Sequence, residues 1–458
     1  MKHRIKQTAA LLSAAMLCSC TLPCMASAYV EPCPVISRNC PVYAGSGQAA
    51  AANDEHYFSF WFSNASDYLA YDLSASSLAE RSQVVLAWYN ATGQYDPSIL
   101  NGGSSNGVPT DYTIEINSAP GGTYPETGWK VVETVTGNTL HSRQHVVEMA
   151  NTANWVRMNI TKADGKEGGS ISLQMDVHSA PEGATDSWIF FGDSITAGGM
   201  MNCYGSPFAE HVNGLDSQYF PIQENGGIGG IFSTDGKNNI DRWLKSFPGE
   251  FVSIAYGTND AWGNQTGAQK YYENTVYMIE AVLALGKTPV LPTIPYATES
   301  GVNNYLDDYN AMIRKIYEEY PQVIKGPDFD KFFREHPEFL SSDGVHPSSE
   351  GYAEMRYLWA ETMYENVYCA EGLPPEPTSD TEYVDPTSNC IPDERLKYDV
   401  NLDNELTVLD VICLQKYLLT PTAFTHPISY DAADCDWDSE INAFDLALLK
   451  KLVFYYNY

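Results

Sequence analysis

The first part of the chain, residues 56–182, alternates short apolar runs with turn residues, which is typical of β-strands. The runs are rich in β-branched and aromatic residues, and clusters such as Asn101-Gly102-Gly103 separate them. We predict strands over residues 57–62, 84–89, 112–117, 129–136, 155–161 and 171–177. Several short strands with turns between them indicate an all-β sandwich.

From residue 183 to residue 370 the pattern changes to apolar strands that alternate with amphipathic helices. The runs "SWIFFGDS", "FVSIAYGTND" and "KTPVLPTIPY" suit buried parallel strands. Between them, "YYENTVYMIEAVLALG" and "NYLDDYNAMIRKIYEEY" place apolar residues three and four positions apart, and "GYAEMRYLWAETMYENVY" predicts a closing helix. This alternation predicts an α/β domain around a parallel sheet.

The remaining segments read as a leader, a lead-in and a linker. In residues 1–28, basic residues precede an apolar stretch and a small-residue cleavage site, as in a secretory signal. The alternative is a lipobox at Leu17-Cys18-Ser19-Cys20, which would place a lipid on Cys20. Residues 29–55 predict a flexible lead-in. Residues 371–392, rich in proline and acidic side chains, predict a semi-extended linker.

Length and charge narrow the class of protein. A chain of 458 residues is long enough for about three domains. Its formal net charge of −32 argues against nucleic acid or an anionic membrane as a partner, because both would repel it. No interior stretch approaches the roughly 20 apolar residues of a membrane span. We expect an exported, extracellular protein.

The cysteines permit disulfides without fixing them. Seven cysteines remain after the predicted cleavage, and no Cys-x-x-Cys motif suggests a zinc or redox site. Cys33 with Cys40 is the local pair that we favour, and Cys413 with Cys435 is a second candidate. Because seven is odd, at least one thiol stays reduced or pairs between chains.

Four segments, "GDSIT", "NGGIGG", "GTND" and "DGVH", supply the groups that acyl transfer at a carbonyl needs. A serine hydroxyl is a weak nucleophile, so Ser194 needs a base, and His346 can take its proton. Asp343 can then fix the imidazole tautomer. The N–H groups of Ser194 and Gly230 and the amide of Asn259 can stabilise the developing oxyanion.

Each segment taken alone has a simpler explanation. A Gly-Asp-Ser turn is often an N-capped junction between a strand and a helix. The glycine-rich segment could cradle a phosphate, but it lacks the Gly-Lys-Ser/Thr of a P-loop. We assign a structural role to Asp260. The order of all four segments, each after an apolar run, favours a hydrolase site.

With these segments, residues 183–370 resemble the SGNH (GDSL-type) hydrolase superfamily. The resemblance implies a flavodoxin-like α/β fold and a serine esterase that needs no cofactor for catalysis. It assigns catalysis to Ser194, Asp343 and His346, and the oxyanion hole to Ser194, Gly230 and Asn259.

The phrases "DYTIEINSAPGG", "GWKVVETVTGN" and "WVRMNIT" resemble the galactose-binding-like, discoidin-type β-sandwich. Such a domain could bind glycan through aromatic residues such as Trp88, Tyr89 or Trp129, although aromatic residues more often fill a sandwich core. Its alternative role is to form one wall of the active-site cleft.

The last segment, residues 393–458, contains an internal repeat. "DVNLDNELTVLDVICLQKYLL" is matched 35 residues later by "DCDWDSEINAFDLALLKKLVF". Each copy spaces oxygen-bearing side chains as a calcium loop does, so we predict two Ca²⁺ ions. The predicted ligands are Asp399, Asn401, Asp403, Thr407 and Asp410 with the carbonyl of Glu405, and Asp434, Asp436, Asp438, Asn442 and Asp445 with the carbonyl of Glu440.

This repeat resembles the type I-like dockerin module of cellulosomal enzymes. The resemblance implies an α-helical module with duplicated calcium loops that binds a cohesin module of a scaffoldin. Its recognition positions fall on Val408, Leu409, Ala443 and Phe444. The glycine usual at loop position 6 is replaced by Asn404 and Ser439, and the recognition pairs are unusually apolar.

Together these features predict a secreted, cellulosome-attached carbohydrate esterase that removes O-acetyl groups from plant cell-wall polysaccharide. Acetyl-xylan is favoured over pectin or rhamnogalacturonan, with feruloyl esters third. Trp262 and Tyr296 are the expected sugar-binding residues near the site. The alternatives are a lipase or lysophospholipase of the same superfamily, and a non-catalytic carbohydrate-binding adhesion protein.

Overall fold

The computed structural model describes residues 32–38, 40–54, 57, 59–64, 66–90, 107–149, 152–164, 171–184, 186–201 and 206–369, together with single positions and short stretches between 398 and 450. Within this part of the chain, no helix is long and apolar enough to cross a membrane.

The described part of residues 32–184 forms two antiparallel sheets. Its strands are β1 (Val42–Ala44), β2 (Trp61–Ser63), β3 (Asp67–Asp72), β4 (Gln83–Tyr89), β5 (Pro109–Asn117), β6 (Lys130–Val135), β7 (Ser142–Glu148), β8 (Trp155–Ala163) and β9 (Ile171–Ser179). One sheet has the order β1-β3-β8-β5-β6 and the other β2-β9-β4-β7. The prediction of a β-rich N-terminal region is confirmed.

Strand alternation creates the core between these two sheets. Successive side chains of a strand point to opposite faces, so every second residue turns inward. On β8 these are Val156, Met158 and Ile160, which are buried in one cluster with Leu86 of β4 and Leu173 of β9. Strands β1, β3 and β7 are not among the predicted ones, because β1 has only three residues, β3 has an aspartate at each end and β7 is mostly polar.

The expectation of a flexible lead-in over residues 29–55 is wrong for the described residues of that segment. Strand β1 pairs with β3, and a 3₁₀ turn at Ala49–Ala52 buries Ala52 beneath Tyr71. Small alanines read as linker in sequence, but here they allow the backbone to approach the sheet closely. Cys40 carries a free thiol, so the favoured Cys33–Cys40 disulfide is not formed.

The described part of residues 187–369 forms the predicted α/β domain. Its parallel strands are β10 (Ser187–Gly192), β11 (Ile222–Gly227), β12 (Phe251–Ala255), β13 (Thr288–Leu291) and β14 (Ile324–Lys325), in the order β11-β10-β12-β13-β14. Its α-helices are α1 (Ser194–Gly199), α2 (Phe208–Leu215), α3 (Ser233–Leu244), α4 (Thr258–Ala261), α5 (Ala268–Ala284), α6 (Ser300–Glu319), α7 (Phe329–Glu335) and α8 (Ser349–Met363). Short 3₁₀ turns at Trp262–Asn264 and Pro337–Phe339 and a π-helical turn at Tyr364–Tyr368 complete it.

Helices cover both faces of this sheet. On β10, Ile189 and Phe191 pack with residues of α3, α5 and α6, whereas Trp188 and Phe190 pack with residues of α2, α7 and α8. Burial on both faces explains why the parallel strands read as continuous apolar runs.

The β-rich region packs against the edge strand β11 of the α/β domain. Val85 and Ala87 of β4 lie in one buried cluster with Ile222 of β11. At the same contact, Ser142 donates a hydrogen bond to Glu224 and Ser187 donates one to Gln144. The two regions therefore share a buried, partly polar interface.

Few residues of the C-terminal segment are described. Val400, Val411, Leu414, Ala432, Ala433, Cys435 and Leu449 are buried together, and residues Tyr430–Ala433 form a helical turn. The predicted α-helical dockerin fold as a whole lies outside the described residues and stays a prediction.

Candidate active site

Ser194 lies at the carboxyl end of β10, where the strand turns sharply into α1. Asp193 caps the helix, because its carboxylate accepts a hydrogen bond from the N–H of Ile195 at 2.9 Å. Gly192 is required here, since a Cβ would lie 2.0 Å from Thr196 Oγ1 and 2.6 Å from the Ala255 carbonyl. Ser194 is the first residue of α1 and is partly exposed, so its hydroxyl is accessible.

The structure brings Ser194, His346 and Asp343 into one hydrogen-bonded row. Ser194 Oγ lies 2.8 Å from His346 Nε2, and His346 Nδ1 lies 2.7 Å from Asp343 Oδ2. A carboxylate can only accept, so Nδ1 carries the proton of the neutral imidazole and Nε2 presents its lone pair to the serine hydroxyl. This is the geometry that a serine nucleophile and its base require.

The carboxylate of Asp343 is held ionised. Partial burial alone would raise its pKa, but the backbone N–H groups of Val345 and His346, the imidazole and the Ser341 hydroxyl donate to it and hold the pKa well below its usual range. The four donors also fix the orientation of the carboxylate. Asp343 can therefore stabilise an imidazolium at His346 without taking its proton.

Besides Ser194, the residues predicted to form the oxyanion hole are Gly230 and Asn259, which lie on two neighbouring turns. Gly230 follows β11 with φ of +78°, a conformation that favours glycine, and it is exposed. Asn259 begins the short helix α4 after β12, and its side-chain amide donates to the Ile231 carbonyl at 3.0 Å. This bond ties the amide to the turn after Gly230 and leaves its second N–H for another acceptor.

Asp260 joins the same two turns from beneath. Its buried carboxylate accepts hydrogen bonds from the N–H of Ser233 at 2.9 Å and from the Ser233 hydroxyl at 2.6 Å. Burial raises the pKa of Asp260, and it raises the pKa of nearby Asp193 to about 7. The structural role predicted for Asp260 thus has a concrete form, in which it fixes α3 to α4.

The two candidate sugar-binding residues differ in access. Trp262 is 40% exposed and lies against Gly301 at the start of α6. The preceding residues Thr298 and Glu299 donate backbone hydrogen bonds to the Gly344 carbonyl, in the loop that carries His346. Tyr296 is half-buried, with the Arg334 guanidinium 4.7 Å from its ring centre. Trp262 is therefore the more open surface.

The aromatic residues considered for glycan binding in the β-rich region are occupied by packing. Trp88 and Tyr89 are buried. Trp129 is half-buried beneath Arg157, whose guanidinium carbon lies 4.1 Å from its ring centre. The structure thus favours a packing role for Trp88 and Tyr89.

Most residues of the predicted calcium loops and cohesin surface lie outside the described residues: Asp399, Asn401, Asp403, Glu405, Thr407, Val408, Leu409, Asp410, Asp434, Asp436, Asp438, Glu440, Ala443 and Phe444. Two ligand positions are described. The buried carboxylate of Asp445 accepts from the N–H groups of Cys435 and Asn442, each at 2.7 Å. These bonds tie Asp445 to Cys435 and Asn442, and the calcium ligation of the loop stays a prediction.

Comparison with known protein families finds a match for two parts of the chain. Residues 190–354 match the GDSL-like lipase/acylhydrolase family, and residues 397–454 match the dockerin type I domain. No curated protein matches the chain.

Three solved structures illustrate the structural likeness. A lipase/acylhydrolase from Enterococcus faecalis is 24% identical, covers 39% of this chain and 94% of its own, and has a TM-score of 0.33. An acetyl xylan esterase is 24% identical, with 40% and 99% covered and a TM-score of 0.31. A chitosan-binding module of a Paenibacillus chitosanase/glucanase is 20% identical, with 31% and 98% covered and a TM-score of 0.24.

The chain therefore carries a GDSL-like lipase/acylhydrolase domain and a dockerin type I domain. The first supports a carboxylic ester hydrolase. Dockerin type I domains bind calcium. The presence of one implies a cohesin partner and suggests an extracellular protein associated with a cellulosome.

Proposed function

We propose that this protein is a secreted, cellulosome-attached esterase that removes acetyl groups from plant cell-wall polysaccharide, with acetyl-xylan as the favoured substrate. The observation that carries the proposal is the row of Ser194, His346 and Asp343, joined by contacts of 2.8 Å and 2.7 Å. The dockerin type I domain supports a substrate found where cellulosomes act.

In the first step, Ser194 Oγ attacks the acetyl carbonyl carbon while its proton passes to His346 Nε2. The carbonyl π electrons move to the oxygen, and the N–H groups of Ser194 and Gly230 and the amide of Asn259 stabilise that oxyanion. The tetrahedral intermediate then collapses. The C–O bond to the sugar breaks, His346 returns the proton to the leaving sugar hydroxyl, and an acetyl-serine remains.

In the second step, water takes the place of the sugar. His346 removes a proton from the water as it attacks the acetyl-serine, and the proton then passes to Ser194 Oγ as acetate leaves. The ionised Asp343 stabilises the imidazolium in both steps. The side chains Ser194, His346 and Asp343 and the three oxyanion donors thus account for the whole cycle.

Trp262 supports a polysaccharide substrate. Its exposed indole lies three residues from Asn259 and contacts the segment that holds the His346 loop. An apolar ring face of this kind can stack on a sugar ring. We assign sugar binding to Trp262 first and to Tyr296 second.

The C-terminal module has the role of attachment. We assign one Ca²⁺ to each of its two loops, held by the oxygen ligands given above, and cohesin recognition to Val408, Leu409, Ala443 and Phe444. The predicted leader, residues 1–28, delivers the protein to the outside of the cell.

The test is the release of acetate from acetylated xylan by the full-length protein, with Ser194→Ala and acetylated pectin alongside. We expect release from xylan that exceeds release from pectin and is abolished in Ser194→Ala. Cleavage of 4-nitrophenyl acetate without release from either polymer would keep the esterase and reject the polysaccharide. The absence of activity on all three would reject the esterase proposal.

A further inference from the structure

The glycine-rich turn that carries Gly230 is bound to the β-rich region as well as to its own domain. The peptide between Gly227 and Ile228 begins this turn. Its N–H donates to the Gly192 carbonyl at 3.0 Å, two residues before Ser194. Its C=O lies 3.2 Å from Nε2 of His141, which directly precedes β7. One peptide plane is therefore held at both ends, by the nucleophile turn and by the β-rich region.

The surroundings leave this peptide little freedom. A Cβ on Gly227 would lie 2.4 Å from the Ala197 nitrogen, so the backbone packs directly on α1. Asn225 accepts from the Gly227 N–H at 3.1 Å and donates to the Ala197 carbonyl at 2.9 Å. Rotation of the Gly227–Ile228 peptide would break the contact to His141 or the bond to Gly192.

His141 is suited to donate to a carbonyl. A carbonyl oxygen only accepts, so the proton of His141 lies on Nε2. The imidazole is buried, and this burial lowers its pKa to about 4. It therefore stays neutral near neutral pH and does not place a second charge beside the active site.

A second contact holds the far side of the turn. Arg242 of α3 donates to the hydroxyl and the carbonyl of Thr139, and its other nitrogen donates to Asn239. Residues 139–141 of the β-rich region thus hold the chain before and after the segment that contains Gly230.

We propose that His141 is a positioning residue for the oxyanion hole, supplied to the hydrolase domain by the β-rich region. The inference rests on the proposed esterase function. His141 touches no reacting atom. Its donation to the Gly227 carbonyl sets the plane from which the turn continues to Gly230, so the β-rich region forms part of the catalytic unit.

The test compares His141→Leu with Gln144→Leu in the full-length protein, using 4-nitrophenyl acetate. Gln144 lies on β7, which His141 directly precedes, but its hydrogen bond goes to Ser187 at the opposite end of β10, so Gln144→Leu is a matched loss of an interface hydrogen bond. Loss of an oxyanion donor lowers kcat about 10²–10³-fold, and a misplaced donor less. We expect His141→Leu to lower kcat about tenfold with KM within about twofold, and Gln144→Leu to leave kcat within about twofold.

Conservative variants keep the proposal testable if His141→Leu does not fold. A glutamine amide can reach the place of Nε2, whereas an asparagine amide is one carbon too short. We expect His141→Gln to retain most of kcat and His141→Asn to lose it. Equal kcat values for these two, or for His141→Leu and Gln144→Leu, would overturn the proposal. If the unaltered protein cleaves no ester, the proposed function fails first and this inference falls with it.

Discussion

At the scale of single residues, the charge state of two carboxylates is decided by what surrounds them. Asp343 accepts from four hydrogen-bond donors and stays ionised, whereas Glu224 is buried, and its burial outweighs the hydrogen bond from the Ser142 hydroxyl. The first arrangement lowers a pKa and the second raises it. Each leads to a prediction.

Substituting Asp343→Asn should lower kcat on 4-nitrophenyl acetate by roughly 10³-fold, with little change in KM. An asparagine amide turned toward Nδ1 would donate rather than accept, which places the proton on Nε2, and Nε2 could no longer take the proton of Ser194. Steady-state kinetics measure the loss. Ser341→Ala is the control, because it removes only one of the four donors to Asp343 and should cost far less. Equal losses in both variants would contradict the assignment.

Substituting Glu224→Gln should stabilise the protein at pH 8 and have little effect near pH 4.5. Burial raises the pKa of Glu224 to about 7, so the folded state keeps a proton that the unfolded state releases above its own pKa near 4.5. Stability is therefore lost as pH rises through this window, by up to about 3 kcal/mol. Glutamine can still accept from Ser142 and never ionises.

Urea unfolding of both proteins at pH 4.5 and pH 8 measures this difference. Burial also raises the pKa of Asp193, but this residue is present in both proteins, so its contribution to the pH dependence of stability cancels. A shift of the midpoint that is the same at both pH values would show that Glu224 is not the titrating group.

At the scale of elements, the site depends on how closely strands, turns and helices approach one another. Gly192 and Gly227 are paired at the ends of the adjacent strands β10 and β11, and both lack room for a side chain. Three of the four motif segments follow strands β10, β11 and β12, where parallel sheets place their ligands.

Two glycine substitutions separate close packing from helix propensity. Gly227→Ala should destabilise the protein by at least about 2 kcal/mol and lower kcat, because its Cβ would overlap the backbone of Ala197. Gly214→Ala lies within α2, where a Cβ meets nothing within 4 Å, and should stabilise by about 0.5–1 kcal/mol.

Thermal unfolding and steady-state kinetics of the two variants test this pair. The Tm values should move in opposite directions, and only Gly227→Ala should change kcat. A Gly227→Ala variant with the Tm and kcat of the unaltered protein would contradict the close approach of the turn to α1.

At the scale of the whole molecule, catalysis and attachment are assigned to different parts of the chain. The proposed catalytic residues lie between 194 and 346, and the predicted calcium ligands lie between 399 and 445. The N-terminal region is joined to the hydrolase domain through a buried interface. Calcium should therefore affect one function and leave the other unchanged.

Removal of calcium from the full-length protein with a chelator should leave kcat on 4-nitrophenyl acetate unchanged and abolish binding to a cohesin. The carboxylates of the loops would repel one another without the cation, so the module should lose helical structure as well. The test measures esterase kinetics, cohesin binding by pull-down and helical structure by circular dichroism on the same sample. A matching loss of kcat would show that the calcium loops support the hydrolase domain.

The sequence by itself predicted the chemistry of the proposed site and the order of the parts. Apolar residues recurring every two positions predicted the β-rich region, and apolar residues recurring every three to four positions predicted the helices of the α/β domain. The reason is that the residues on the buried face of a strand or helix recur at the period of that element. The motif segments predicted Ser194, Asn259, Asp343 and His346 as site residues, since a serine nucleophile needs a base and oxyanion donors in any fold.

Only the tertiary structure decided how the parts meet. Strand β1 has only three residues, β3 has an aspartate at each end and β7 is mostly polar, so their pattern does not stand out, and pairing with neighbours places them in the sheets. His141 lies 86 residues from Gly227 and in another region of the chain, so no local pattern could connect them. A contact between distant residues depends on packing across an interface, and such packing leaves no period or spacing in the sequence.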